Sequence, residues 1–504
     1  MPDKKQFISS FSWNTATVFA QIIIQMIYTG ILARMVSQDS FALMGVVLSI
    51  MGFAEIFSQV GIGPAIIQRK DLHAQHLTGA FYTSLALGVT FTLGFIVAAP
   101  LIAKSYNIAE LEPIIQVVCT SFTISALAVV PRSMMLKEMK FKNFFIAGMI
   151  SIVGGNLIVG LSLAYAGWDV WAYVWALFAQ NTLMTISFWL LQPTKIKFKW
   201  EWSYTQDLLG YGGASSLFNA LNYAATKVDV LLLPKYASQL PASSRSPLDT
   251  AGLYERSAYV MSLPITIMAK LSDNVLFSGM SKMQDQQARL RRLMLIGNQF
   301  LGILVIPICV FISFFSKEII TIYLGPSYEE AASVLQVLFI AIIFRTLTRL
   351  TDSLLRAVNA VLRGSIIKAF YLVIMIVGVV VAIPYGIQMI AWSIVATTAI
   401  HYLMSIFLSQ RLIDVSIFKQ LGALVPGVIL GLFNLVVLFS LDLISFFNES
   451  PHLVKLIIGG MVWGVSTLTL ILAFPSILRA NDIHPSEFLP KKILSLPLLN
   501  RLGK

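Results

Sequence analysis

Apolar windows of membrane-crossing length recur along the whole chain, and the polar positions fall mostly between them. A spanning helix takes roughly 20 mostly apolar residues. Windows of that kind run at about 11–33, 41–60, 79–103, 112–130, 144–166, 170–191, 208–233, 251–277, 293–315, 331–352, 365–384, 386–409, 420–442 and 453–475. The pattern predicts an all-α integral membrane protein with about 14 transmembrane helices. Two of the breaks are tight. They rest on Gly167 and on Pro384 with Gly386, residues that favour turns. The connections are short and leave no polar block from which to build an extramembrane catalytic domain.

Composition agrees with the pattern. Of 504 residues 57% are hydrophobic and 12% charged, and mean hydropathy is +0.79; a soluble protein carries about 25% charge. The basic N-terminus lacks a short apolar core with a small-residue cleavage site, so it reads as a retained first span and not a signal peptide. Cys119 and Cys309 both fall in apolar windows and read as small buried hydrophobes.

The net charge of +12 would suggest nucleic acid in a soluble protein. Here its placement explains it, and no nucleic-acid partner is expected. With both termini in the cytoplasm, the cytoplasmic segments hold 25 Lys and Arg, Arg363 and Lys368 among them. The outer segments hold six: Arg34, Lys104, Lys235, Arg245, Lys317 and Lys455. That is the bias of a multi-pass plasma-membrane protein with an even number of spans.

Three connections carry further expectations. The longest outer one, 234–250, is rich in Ser and Pro. The 316–330 segment is expected to hold a short surface helix. RSMMLKEMKFK at 132–142 interleaves Met, Leu and Phe with Lys, as an interfacial helix on the cytoplasmic leaflet does. A faint repeat pairs ILARMVSQDSFALMGV at 31–46 with LLPKYASQ…TAGLYERS at 232–257. An offset of about 200 residues would make spans 7–12 a second copy of spans 1–6, a plan common among transporters.

Enzyme chemistry has little support. There is no G-x-x-x-x-G-K-[ST] phosphate loop, and the chain is read as a non-enzyme with no cofactor. His73 and His76 lack a third ligand, so they read as a solvated loop with no metal bound.

The charges inside spans are more informative, because burying them in hydrocarbon is costly unless something polar uses them. In span 10, Arg345, Arg349, Asp352 and Arg356 are spaced 4, 3 and 4, which puts all four on one helical face. One carboxylate cannot neutralise three arginines, so the stripe reads as an anion path, with an Arg349–Asp352 ion pair as the competing reading. Guanidinium suits phosphate because its planar fork pairs two oxygens at once. In span 7, Lys227 and Asp229 lie two apart and do not share a face. In span 8, Arg256 and Lys270 project to one side with Pro264 between them, and Asp273 is one turn past Lys270 as a local ion-pair partner. Glu55 in span 2 is either a coupling acid or the partner of an arginine elsewhere.

ILARMVSQDSFAL, FSQVGIGPAIIQRKDL, PRSMMLKEMKFK, and KVDVLLL followed by AGLYERSAYVMSLP together resemble the polysaccharide transporter family. These are Wzx-like lipid-linked oligosaccharide flippases, of colanic or teichuronic acid exporter type, in the multidrug/oligosaccharidyl-lipid/polysaccharide exporter superfamily. The resemblance implies two six-helix lobes, 1–200 and 201–412, around a central cationic cavity. Two additional helices over 413–476 and a cytoplasmic tail over 477–504 complete it. As cargo it implies an undecaprenyl-pyrophosphate-linked oligosaccharide, moved between leaflets by alternating access. The further partners it implies are membrane lipids, a coupling cation or proton, a polysaccharide polymerase and export machinery. Asp229, Tyr254 and Arg256 fall on recurring family positions, whereas the insertion at 239–250 departs from the family's short turn. Two other readings stay open. One is a multidrug or cation antiporter of the same fold, which predicts acids dominating the cavity. The other is a membrane-embedded glycan polymerase or ligase, which would need a larger outer loop.

Overall fold

In the computed structural model the chain is described over residues 4–58, 62–68, 72–196, 213–241, 245–281, 286–358 and 360–474. Those residues are helical throughout, with no strand among them, because only a self-bonded backbone is tolerated in hydrocarbon. The long helices are α1 (Lys4–Leu32), α2 (Gln38–Ser58), α3 (Ala74–Tyr106), α4 (Leu111–Lys137), α5 (Phe141–Tyr165), α6 (Val170–Leu191) and α7 (Gly213–Lys235). They continue with α8 (Pro247–Ser281), α9 (Gln287–Phe314), α10 (Ala331–Ala357), α11 (Val361–Tyr385), α12 (Ile387–Ile413), α13 (Ile417–Asp442) and α14 (His452–Ala473). Among the described residues α3 to α6 and α9 to α14 are long and apolar enough to cross a bilayer. The others, α1, α2, α7 and α8, stand in the remaining expected windows. Gly167 (φ 80°) and Gly386 (φ 95°) make the two tight breaks with backbone that L side chains rarely adopt.

Packing divides the chain into two compact units, Met1–Glu255 and Arg256–Lys504. The first unit holds α1 to α7 and the opening turns of α8. Inside it α3 packs on α4, α5 on α6, and α2 on α7. Mid-span, α5 widens into a π turn over Val153–Gly160, where buried Asn156 donates through Nδ2 to Gln25 Oε1 of α1 at 2.8 Å. The α1–α2 turn is tied to the start of α6, because the Asp169 carboxylate accepts the Ser37 N–H (2.8 Å) and hydroxyl (2.9 Å).

The 239–250 insertion docks on the same turn. Arg245 donates to the Gln38 side chain at 3.0 Å, Ser246 donates to Asp39 at 3.4 Å, and Ser246 Oγ accepts the Asp249 N–H at 2.9 Å as the cap of α8. Partial burial and a hydrogen bond shared with Asp249 push the Asp39 carboxyl up to about 6. The protonated form therefore belongs to the folded state. Its contribution to stability is full below the ordinary value of 3.8 and is lost as pH rises through about 6. Asp39→Asn, which mimics the protonated acid, is expected to raise the unfolding midpoint at pH 7.5 and to raise it less at pH 4. A larger gain at pH 4 would contradict this assignment.

Two sequence expectations are corrected in this unit. Residues 132–142 are not a separate interfacial helix. Arg132–Lys137 are the last turns of α4, Met135 is fully buried against Ala128, Ala147 and Phe188, and the chain reverses through Met139 (φ 56°) into α5. Apolar and basic residues interleave at the end of a span just as they do on an interfacial helix, and only packing separates the two. His73 and His76 are not a solvated pair either. His73 caps α3, and His76, 1% exposed, returns its Nδ1 to accept the His73 N–H at 3.1 Å while the two rings stack.

In the second unit, α10 lies among α9, α11 and α12. Leu290, Met294 and Leu301 of α9, Leu347, Leu350 and Leu354 of α10, and Tyr402 and Ile406 of α12 form one buried cluster. On its other side α9 packs on α13, where a Cβ at Gly427 would collide with the Gly302 backbone. Small residues at that crossing let the helices approach to backbone contact. The 316–330 segment holds the expected short helix, Ser316–Tyr323, with Ile320 fully buried under it.

Candidate functional site

Along α10 the four charged residues at spacing 4, 3 and 4 are half-buried, whereas Thr346, Leu347, Thr348, Leu350, Thr351, Ser353, Leu354 and Leu355 between them are buried. The stripe is therefore the open face of a helix otherwise enclosed on all sides. Helix period alone produces it, since side chains three and four apart stack on one face.

Asp352 does not pair with Arg349 in the way the competing reading supposed. Its Oδ2 lies 2.9 Å from Nζ of Lys368 on α11, and the Lys368 residue is 2% exposed. Lys368 is thus a buried residue of α11 paired with a carboxylate, where the sequence reading counts it among the cations of a connecting segment. It stands four residues into the window that begins at 365, so the sequence alone attaches it to the preceding loop. Arg349 and Arg356 are close enough to act on Lys368 electrostatically, after Asp352 itself.

One turn further along α11, Tyr371 stacks on His401 of α12, with centroids 4.0 Å apart and planes at 10°. Lys368 and Arg345 are the charges that act on that imidazole. The cluster therefore joins Arg345, Arg349 and Arg356 to Lys368, with His401 beside them and Asp352 as the carboxylate paired within it. Sequence reasoning missed Lys368, Tyr371 and His401, and their only signal was that each is a polar residue inside an apolar window.

Arg345 is the residue that gives the cluster its chemistry. Its Nε and Nη2 are buried and have no hydrogen-bond partner among the described residues, and neither does the hydroxyl of adjacent Thr346. Nε–H and Nη2–H point the same way and form the side edge of the guanidinium, the fork that holds two oxygens of one oxyanion. An unsatisfied buried donor costs about 1–3 kcal/mol, so two on one side chain are suited to an oxyanion that accepts from both.

The remaining predicted residues are dispersed. In the first unit Lys227 is half-buried on α7, while Asp229, 2% exposed, accepts the Tyr254 hydroxyl at 2.7 Å. Arg256 opens the second unit, 1% exposed, with its guanidinium over the Tyr259 ring at 4.9 Å. The side chains of Glu55, Lys270 and Asp273 lie outside the described residues. Among the described residues no three His, Cys, Asp or Glu side chains converge to hold a metal.

Residues 31–333 match the family described as polysaccharide biosynthesis protein. The chain is similar to the teichuronic acid biosynthesis protein TuaB of Bacillus subtilis (strain 168), 22% identical over 375 residues covering 73% of each chain. It is also similar to the lipopolysaccharide biosynthesis protein WzxC of Escherichia coli (strain K12), 24% identical over 371 residues and 70% of each chain. Its fold is similar to that of the lipid II flippase MurJ in an inward closed conformation, with a TM-score of 0.72 at 14% identity. That match covers 92% of this chain and 99% of that one.

Proposed function

The chain belongs to the polysaccharide biosynthesis protein family, and on that premise we propose that it is a flippase. It moves undecaprenyl-pyrophosphate-linked oligosaccharide units from the inner to the outer leaflet of the plasma membrane, by alternating access and without covalent chemistry. The observation that carries this reading is the unpaired fork of Arg345 inside a cluster with a cation excess. A diphosphate presents the paired oxygens that such a fork matches, and the neighbouring Arg349 and Arg356 supply the remaining charge. The relatives are in keeping with it, since both carry names from polysaccharide biosynthesis.

In this scheme both termini are cytoplasmic. Arg345, Arg349 and Arg356 draw in the diphosphate, Lys227 and Arg256 receive it near the outer side, Lys270 is a further cationic cavity candidate, and Asp229 and Glu55 are the candidates for a coupling proton or cation. The two repeats, 1–200 and 201–412, are the bodies that alternate.

The test uses purified full-length protein in vesicles carrying a fluorescent undecaprenyl-pyrophosphate-linked sugar on one leaflet. Protein-dependent exposure of the sugar on the other leaflet, with the lipid recovered chemically unchanged, is the expected result. A lipid recovered longer, shorter or cleaved would replace flipping with synthesis, and no exposure at all would end the proposal.

A further inference from the structure

The first unit contains a polar feature of its own. A cavity of about 210 Å³ lies between α2, α4 and α6, near the middle of all three helices. Its wall carries Ser121 and Ser125 on α4 and Asn181 on α6, with Phe122 and Leu177 as apolar lining. Among the described residues no charged side chain lines it. The Ser121 hydroxyl is buried and has no hydrogen-bond partner among the described residues. On the α2 side the wall is Gly52, where a Cβ would collide with the Tyr223 hydroxyl of α7. That hydroxyl donates to the Leu48 carbonyl at 3.4 Å. The Tyr223 hydroxyl can approach α2 there only because residue 52 has no side chain.

Hydroxyls and an amide at mid-span need partners, since unsatisfied polar groups in a low dielectric are penalised. The lack of charge argues against a phosphate or an ion as that partner. Serine hydroxyls and an asparagine amide both donate and accept, which is what a ligand built of hydroxyl groups requires. Ser121 and Ser125 are one turn apart, about 6 Å along the axis, close to the spread of hydroxyls around one pyranose ring. Phe122 and Leu177 offer apolar surface to the ring's C–H faces. The volume is below the roughly 300 Å³ at which drug-sized pockets begin, so the cavity suits one ring and not a chain of them.

We infer that this cavity is a subsite for a single neutral sugar ring, lined by Ser121, Ser125 and Asn181. The inference rests on the cargo being an oligosaccharide, and it assigns part of the glycan's recognition to the first unit.

Saturation-transfer NMR on the full-length protein in detergent tests it, with glucose, galactose and N-acetylglucosamine as probes and the acyclic mannitol as control. At least one pyranose is expected to give a signal that mannitol does not. Ser125→Phe, which fills the cavity, should reduce that signal at least five-fold, and so should Asn181→Leu, which removes the amide without adding bulk. Unchanged elution profile and unfolding midpoint identify folded variants, and Asn181→Leu keeps the test open where the larger side chain disturbs packing. No signal from any pyranose, or a signal untouched by both variants, overturns the subsite and leaves a cavity filled by water only. The flippase reading fails separately, through absent translocation by the unmodified chain, while sugar binding to this cavity would persist.

Discussion

Asp352→Leu is expected to cost the protein about 3–5 kcal/mol of stability, the usual penalty for stripping the partner from a buried ion. Lys368→Met at the other end of the same pair should cost distinctly less. The asymmetry follows from the surroundings. Lys368 is 2% exposed, and the charges near it besides Asp352 are arginines. Without the carboxylate it is a buried cation with two arginines acting on it. Asp352 stripped of Lys368 keeps 17% side-chain exposure and still has Arg349 and Arg356 in its neighbourhood. The double substitution to Leu and Met should recover much of the loss, because an apolar pair of similar volume is often no less stable than a buried ion pair. Denaturant or thermal unfolding of the four proteins in detergent gives the cycle. Equal single-site losses would show that the surrounding arginines do not bias the pair.

Arg345→Ala should behave in the opposite way, with a large loss of translocation and little loss of stability. Losing the fork forfeits at least one charge-assisted bond to the diphosphate, about 2–3 kcal/mol. That loss corresponds to a roughly 30- to 150-fold fall in rate at limiting substrate. Arg345→Lys should recover only a small part of that, since an ammonium is a point charge without the fork. Stability should hold or rise, because the truncation removes two buried donors that have no hydrogen-bond partner among the described residues. A purely structural arginine predicts the reverse, with unfolding at lower temperature and transport per folded molecule unchanged. That result would remove Arg345 from the anion path.

The charged stripe on α10 was legible because helical periodicity is local: residues at 345, 349, 352 and 356 must share a face whatever surrounds them. The helices themselves were legible for a similar reason, since hydrocarbon tolerates few backbone solutions. Three matters were hidden because a contact that hydropathy does not record decides each of them. Lys368 looked like a loop residue until Asp352 of another helix was beside it. Residues 132–142 looked interfacial until Met135 met Phe188. His76 looked solvated until the turn before α3 closed on it. The insertion after α7 likewise had no meaning in sequence, and acquired one only when Arg245 and Ser246 reached Gln38 and Asp39.

By itself, then, the sequence determined the membrane class, the helical windows, the tight turns at Gly167 and Gly386, and the cationic face of α10. All of these follow from hydropathy, local backbone freedom and a period of 3.6 residues. The tertiary structure decided which charges are already spent on one another and which are still open. Lys368 answers Asp352, Tyr254 answers Asp229, and the fork of Arg345 and the hydroxyl of Ser121 have no hydrogen-bond partner among the described residues. Pairing depends on distances of about 3 Å between helices far apart in sequence, and no pattern along a single chain records them.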